Sequence, residues 1–278
     1  MAHLYQRLIA FLLLIILAIN SYANSGVGTA VTGPRAASVG GAALSLSDAW
    51  SVFNNPAMLA RLSSPVVAVG YENRFLLKEL GFRMIAGSIP AKPGNFGFAV
   101  KQFGTSLYNE TFAGIAFGRS LTPNVSAGLR LDIYRIGLGD NYGHRTTASF
   151  AAAIGVQITE DLTFATAIYN PVRIRVTRDF DEFLPSIIRA GFAYRVEQNL
   201  LLMAEAEKNI HNNPVLRFGI EYELLRMSWL RAGISTNPLT HSFGFGIKVS
   251  SFLVDIAAVR HETLGYTPHL GIIWQPKQ

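Results

Sequence analysis

Val125-Ser126-Ala127-Gly128-Leu129-Arg130-Leu131-Asp132-Ile133 is the stretch on which the reading of the fold turns. Its odd positions, Val125, Ala127, Leu129, Leu131 and Ile133, are all apolar, whereas Ser126, Gly128, Arg130 and Asp132 are polar or tiny. Strict alternation is the signature of a strand with two unlike faces, because successive side chains point to opposite sides. The pattern recurs downstream. Ala148, Phe150, Ala152, Ile154, Val156 and Ile158 alternate with smaller or polar residues, and Leu216, Phe218, Ile220, Tyr222 and Leu224 oppose Arg217, Gly219, Glu221 and Glu223.

The composition says which solvent the apolar face meets. Half of the 278 residues are hydrophobic and only 15% are charged, against about 25% charged in an average soluble domain. Mean hydropathy is +0.27. A membrane helix needs roughly 20 consecutive apolar residues, and the chain has one stretch that approaches this, 8–19, preceded by Arg7 and followed by Ser21-Tyr22-Ala23. A positive start, a short apolar core and a small-x-small ending predict a secretory signal peptide over 1–23. The remaining hydrophobicity is spread by alternation, as in a transmembrane barrel. The absence of cysteine excludes a disulfide scaffold, a cysteine-ligated metal and a thiol nucleophile.

Fourteen strands are predicted, near 65–74, 80–90, 94–104, 109–120, 124–136, 145–158, 161–170, 185–196, 199–208, 213–224, 227–236, 240–250, 252–260 and 265–274. Most have about ten residues, the length of a tilted membrane strand. Every second connection is tight and the others are mostly longer, notably 137–144 and 171–184. Such two-sidedness is expected of a barrel in an asymmetric membrane, with both chain ends on the tight-turn side. The expected fold is therefore all-β, a 14-stranded antiparallel up-and-down transmembrane barrel over 65–278, exported to the outer membrane.

The polar face is expected to line the lumen. Its charges are mixed, with Arg74, Arg83, Arg130, Arg217 and Arg231 against Asp132, Glu205 and Glu221. Centring the hairpins near His211 and Arg226 sets Glu205 opposite Arg217 and Glu221 opposite Arg231. Opposite charges across a strand pair are mutually stabilising, so a cross-linked interior is expected rather than a wide open pore. Fourteen strands enclose more space than side chains alone can fill. The filler is expected to be 24–64, which lacks alternation. Ser45-Leu46-Ser47-Asp48 predicts a short helix through Trp50 and Phe53. Asn55-Pro56-Ala57 opens a second, with Asn at the cap and Pro at the first helical position. Trp50, Phe53, Met58 and Leu59 would supply its apolar contacts.

The runs Gly33-Pro34-Arg35-Ala36-Ala37-Ser38-Val39-Gly40-Gly41-Ala42 and Asn54-Asn55-Pro56-Ala57-Met58-Leu59 resemble the N-terminus of the FadL/PorV superfamily of outer-membrane barrels, and look closest to its PorV/PorQ branch. The resemblance implies a plug inside a fourteen-stranded barrel and, for that branch, association with type IX secretion. On this reading protein partners of a secretion machinery would dock on the rim, where Arg173, Arg175, Arg178, Phe180 and Phe183 occupy the longest outer loop. The alternative is FadL-type transport of small hydrophobic molecules, with Pro268 marking a place where the strand ladder can open. Membrane lipid is the remaining expected partner. No motif points to catalysis, a cofactor, a resident metal or nucleic acid, and His144, His211, His241 and His261 read as exposed outer-end histidines.

Overall fold

The computed structural model describes residues 31–139, 143–172, 174, 183–209 and 212–276. Fourteen antiparallel strands close into one barrel, each paired with its sequence neighbours and the first with the last. They are β1 Val66–Asn73, β2 Gly81–Ile89, β3 Asn95–Gly104, β4 Tyr108–Ser120, β5 Val125–Leu138, β6 His144–Gln157 and β7 Leu162–Tyr169. The second half comprises β8 Ile187–Glu197, β9 Leu200–Asn209, β10 Val215–Leu225, β11 Ser228–Ser235, β12 Thr240–Val249, β13 Phe252–His261 and β14 Gly265–Trp274. Closure pairs every strand on both sides and so removes the free edges that lipid could not satisfy.

The alternation sorts as a membrane solvent demands. Leu129, Leu131 and Ile133 on β5 are exposed outward, whereas Ser126, Arg130 and Asp132 are buried in the interior. Among the described residues no helix is long and apolar enough to cross a membrane. The two barrel ends differ less than the sequence suggested. The long connection between β7 and β8 and the two 3-10 turns between β1 and β2 distinguish the loop end, but β3 to β4 and β13 to β14 are joined by short turns there.

Residues 31–64 form no strand and lie within the barrel. They contain helix α1 Pro34–Ser38, helix α2 Ser51–Asn54 and the 3-10 helix η1 Pro56–Arg61. α1 starts at a proline, whose missing N–H falls where a helix leaves its donors unpaired. The expected helix beginning at Ser45 starts instead at Ser51. Asp48 does not serve as part of a capping box: its Oδ1 accepts from the Trp50 amide at 2.8 Å, making a local turn before the helix.

Candidate functional site

The inner segment is seated on the barrel wall at glycines. A Cβ on Gly128 of β5 would collide with the Pro56 carbonyl carbon and the Ala57 amide, and one on Gly233 of β11 would collide with the backbone of Val39 and Gly40. At these positions the plug backbone comes so close that only a hydrogen fits. Inward glycines at strand period were the sequence signal for this contact. They looked like part of a merely small or polar face.

Polar wall side chains then bind the backbone they face. Arg130, 1% exposed, donates to the carbonyls of Val52 and Phe53 at the end of α2, a place where cations complement unpaired carbonyls. Its other guanidinium edge is held by Asp132, Nε to Oδ1 at 2.6 Å and Nη2 to Oδ2 at 3.0 Å. The Tyr169 hydroxyl donates to the Asn54 carbonyl, and Glu205 accepts the Leu44 amide at 3.0 Å.

A second group ties α1 to the opposite wall. Arg35 grips Glu221 with two parallel bonds, Nε to Oε2 at 2.8 Å and Nη2 to Oε1 at 2.7 Å, and reaches Asp48 at 3.3 Å. Arg231 donates to Glu221 Oε2 and to Asp255 Oδ1, each at 2.6 Å. Burial opposes the Arg35 charge, but Glu221 and Asp48 more than compensate, so its pKa lies above the ordinary arginine value. The ladder register places Glu205 opposite Arg217 and Glu221 opposite Arg231. Arg217 reaches Glu205 at 3.1 Å and Glu207 at 2.9 Å. Of the charges expected in the lumen, Arg130, Asp132, Glu205, Arg217, Glu221 and Arg231 face inward. Arg83 does not. Its neighbours Phe82 and Met84 are buried in the interior, so strand parity turns Arg83 to the outer surface.

Asn55 caps η1 by accepting the Ala57 amide at 2.9 Å, and its Nδ2 donates to the Leu44 carbonyl at 2.7 Å. Trp50 and Phe53 pack in one apolar cluster with Phe112, and the rings of Phe53 and Phe112 are 5.6 Å apart. Leu59 joins that cluster, while Met58 packs in a neighbouring one with Ala151 and Tyr169. Below α1 the lumen is therefore filled.

Above it lies a vestibule open toward the loop end. A cavity of about 340 Å³ is lined by Glu72, Arg74, Phe75, Glu207, Arg217 and His269 among others. It shares Glu72, Glu207, Arg217 and His269 with a deeper one of about 210 Å³, floored by plug residues Val31, Ala37, Gly40 and Gly41. At the vestibule wall the β1–β14 seam of the ladder stops short of the loop-side end of β14. Pairing of β1 with β14 ends at Glu72 and His269, one residue short of Pro268, while β13 pairs with β14 as far as Gly265. Beyond the seam Phe75 and Leu76 adopt positive φ and the chain leaves the sheet. Sequence reading marked Pro268 and counted Arg74 among the lumen charges but missed the vestibule residues Phe75 and His269, which join them only when the first and last strands meet.

Of the expected rim residues, Arg173, Arg175, Arg178 and Phe180 lie outside the described residues, as does His211. Phe183 forms an isolated bridge before β8. Among the described residues no group of three or more His, Asp or Glu is arranged to hold a metal ion.

The fold is shared with solved structures. The toluene transporter TbuX of Ralstonia pickettii superimposes with a TM-score of 0.69 at 11% identity, covering 88% of this chain and 98% of that one. A Pseudomonas aeruginosa FadL homologue gives 0.65 at 14% identity, covering 90% and 98%. The fold is FadL-like. The toluene transporter TodX of Pseudomonas putida gives 0.65 at 10% identity over 83% of this chain and 94% of its own. No protein-family model and no curated protein sequence matches the chain.

Proposed function

We propose that this barrel resides in the outer membrane and passes small hydrophobic molecules from the loop side into the membrane. One observation carries the reading. The vestibule has a packed floor but meets, in its wall, the stretch of β14 that has no partner on β1. A ligand entering from the loop end finds the straight path closed by the plug and the sideways path bounded by a stretch where the β1–β14 ladder has ended. Phe75, Val215, Val259 and Leu264 offer apolar surface there, with Glu72, Arg74 and His269 as polar anchors, the mixture usual in ligand sites. The likeness to toluene and hydrocarbon transporters supports the same reading.

Arg130, Asp132, Glu221, Arg231 and Asp255 are paired with each other or with the plug and do not line the vestibule, whereas Glu207 and Arg217 line it as a mutually neutralised pair. The alternative of a rim-docked secretion component draws on Arg173, Arg175, Arg178 and Phe180, outside the described residues, and no feature of the geometry favours it over transport. Export by cleavage after Ala23 belongs to the same proposal.

The chain has no cysteine, so one engineered disulfide tests the seam. Asn73→Cys with Pro268→Cys occupies the positions next after the last β1–β14 pair. Oxidation is expected to abolish accumulation of labelled toluene in cells expressing the barrel, and reduction to restore it. Accumulation that ignores the redox state, or that equals that of cells without the barrel, would overturn the reading.

A further inference from the structure

We infer that the outward face of β2 to β6 carries a binding site for the head group of a phosphorylated glycolipid, formed by a row of polar side chains ending in the cleft around Arg135. The row is written in the register. Tyr71 stands opposite Arg83, Arg83 opposite Gln102, Gln102 opposite Thr111, Thr111 opposite Arg135 and Arg135 opposite Thr146. The row two residues nearer the turn end is Val69, Ile85, Val100, Ala113, Ile133 and Ala148, without a polar side chain. The lipid-facing surface thus changes from wholly apolar to polar in one step.

The polar row holds two guanidinium groups and no carboxylate. No ion pair joins Arg83 or Arg135 to any described residue, in contrast to the interior arginines that grip Asp132, Glu207 and Glu221. An exposed cation at a membrane boundary with no internal partner is matched by an anionic head group. Arginine recognises phosphate with two parallel bonds. Between the two arginines Gln102 and Thr111 present an amide and a hydroxyl, which suit sugar hydroxyls. The row ends in a built concavity of about 440 Å³, lined by Ser106, Asn109, Thr111, Arg135 and His144 among others.

Tilt decides between head groups. Continued past Thr146 the row runs beyond Tyr169, the loop-side end of β7. Followed the other way from Tyr71 it passes Leu270, Ile256, Phe245 and Leu230 to Tyr222, near the turn-side end of β10. It therefore climbs from β1 to β6. With strand spacings near 4.8 Å and a tilt of about 40°, Arg135 stands roughly 9 Å higher than Arg83 along the membrane normal. A single phosphodiester at the surface cannot occupy both levels, whereas a head group of phosphates borne on sugars extends across them. The site rests on the outer-membrane placement proposed above, with the loop end in the outer leaflet.

The test uses the full barrel purified in mild detergent and placed in phosphatidylcholine nanodiscs containing either lipid A or phosphatidylglycerol, with bound lipid counted by native mass spectrometry. The parent is expected to retain lipid A in preference to phosphatidylglycerol. Each of Arg83→Ser and Arg135→Ser should weaken retention about tenfold, the worth of one charge-assisted contact. Arg119→Ser, outward near the turn-side end of β4, should leave it unchanged, and heat-modifiable migration of the folded barrel reports that all variants fold. Equal retention of the two lipids by the parent, or unchanged lipid A retention in the Arg83→Ser/Arg135→Ser double variant, would overturn the site. Because binding is read on purified protein, failure of the transport reading leaves this result standing.

Discussion

At Gly128 a single hydrogen separates a seated plug from a displaced one. A side chain there would need the space held by the Pro56 carbonyl, and overpacking of a close contact typically costs about 1–3 kcal/mol. Gly128→Val is expected to leave the strand ladder intact, since valine suits strands, yet to loosen 31–64. Single-channel recording should show frequent openings absent from the parent, and a silent variant would contradict the contact. Arg130 makes a different demand. Removing it strands Asp132 without its bidentate partner and frees two α2 carbonyls. Breaking one side of a buried pair costs about 3–5 kcal/mol, whereas replacing both partners by apolar groups often costs little. Arg130→Met should therefore lower the urea midpoint of unfolding markedly, and Arg130→Met with Asp132→Leu should recover part of the loss. Polarity alone misplaced Arg83, because a charged residue two positions from a strand end can reach head groups as readily as a lumen, and parity with Phe82 and Met84 decides.

The short helices depend on caps more than on length. η1 spans six residues, too few for independent stability, and its start is fixed by Asn55, whose amide also satisfies the Leu44 carbonyl. Asn55→Leu is expected to cost about 0.5–2 kcal/mol through the cap and to orphan that carbonyl as well. Amide hydrogen exchange over 56–61 should accelerate while the strands keep their protection. Uniformly unchanged exchange would show that tertiary packing alone holds the segment. The Asn55 cap was legible because side chain and receiving amide lie two residues apart. The start of α2 was not, because Asp48 is drawn into contact with Arg35, a residue on another element.

For the whole molecule, residues 31–64 occupy much of the space that the fourteen strands enclose. Deleting 31–64 is expected to raise the conductance of the barrel in planar bilayers, since fourteen strands enclose more than their own side chains fill. A deletion variant that folds yet stays silent would assign closure to the loops instead. The strands, the sorting of their faces apart from Arg83, and the pairings of Glu205 with Arg217 and Glu221 with Arg231 were readable from sequence. Alternation is a property of neighbouring residues, and a hairpin register follows from where its turn is centred. The tertiary structure alone decided where the plug sits, which glycines receive it, and how the ladder ends between β1 and β14. Those features join residues such as Arg35 and Glu221, Gly40 and Gly233, or Glu72 and His269. No local pattern encodes such distant pairs; closure of the barrel brings them together, and burial then selects the contacts that leave no charge or backbone group unmet.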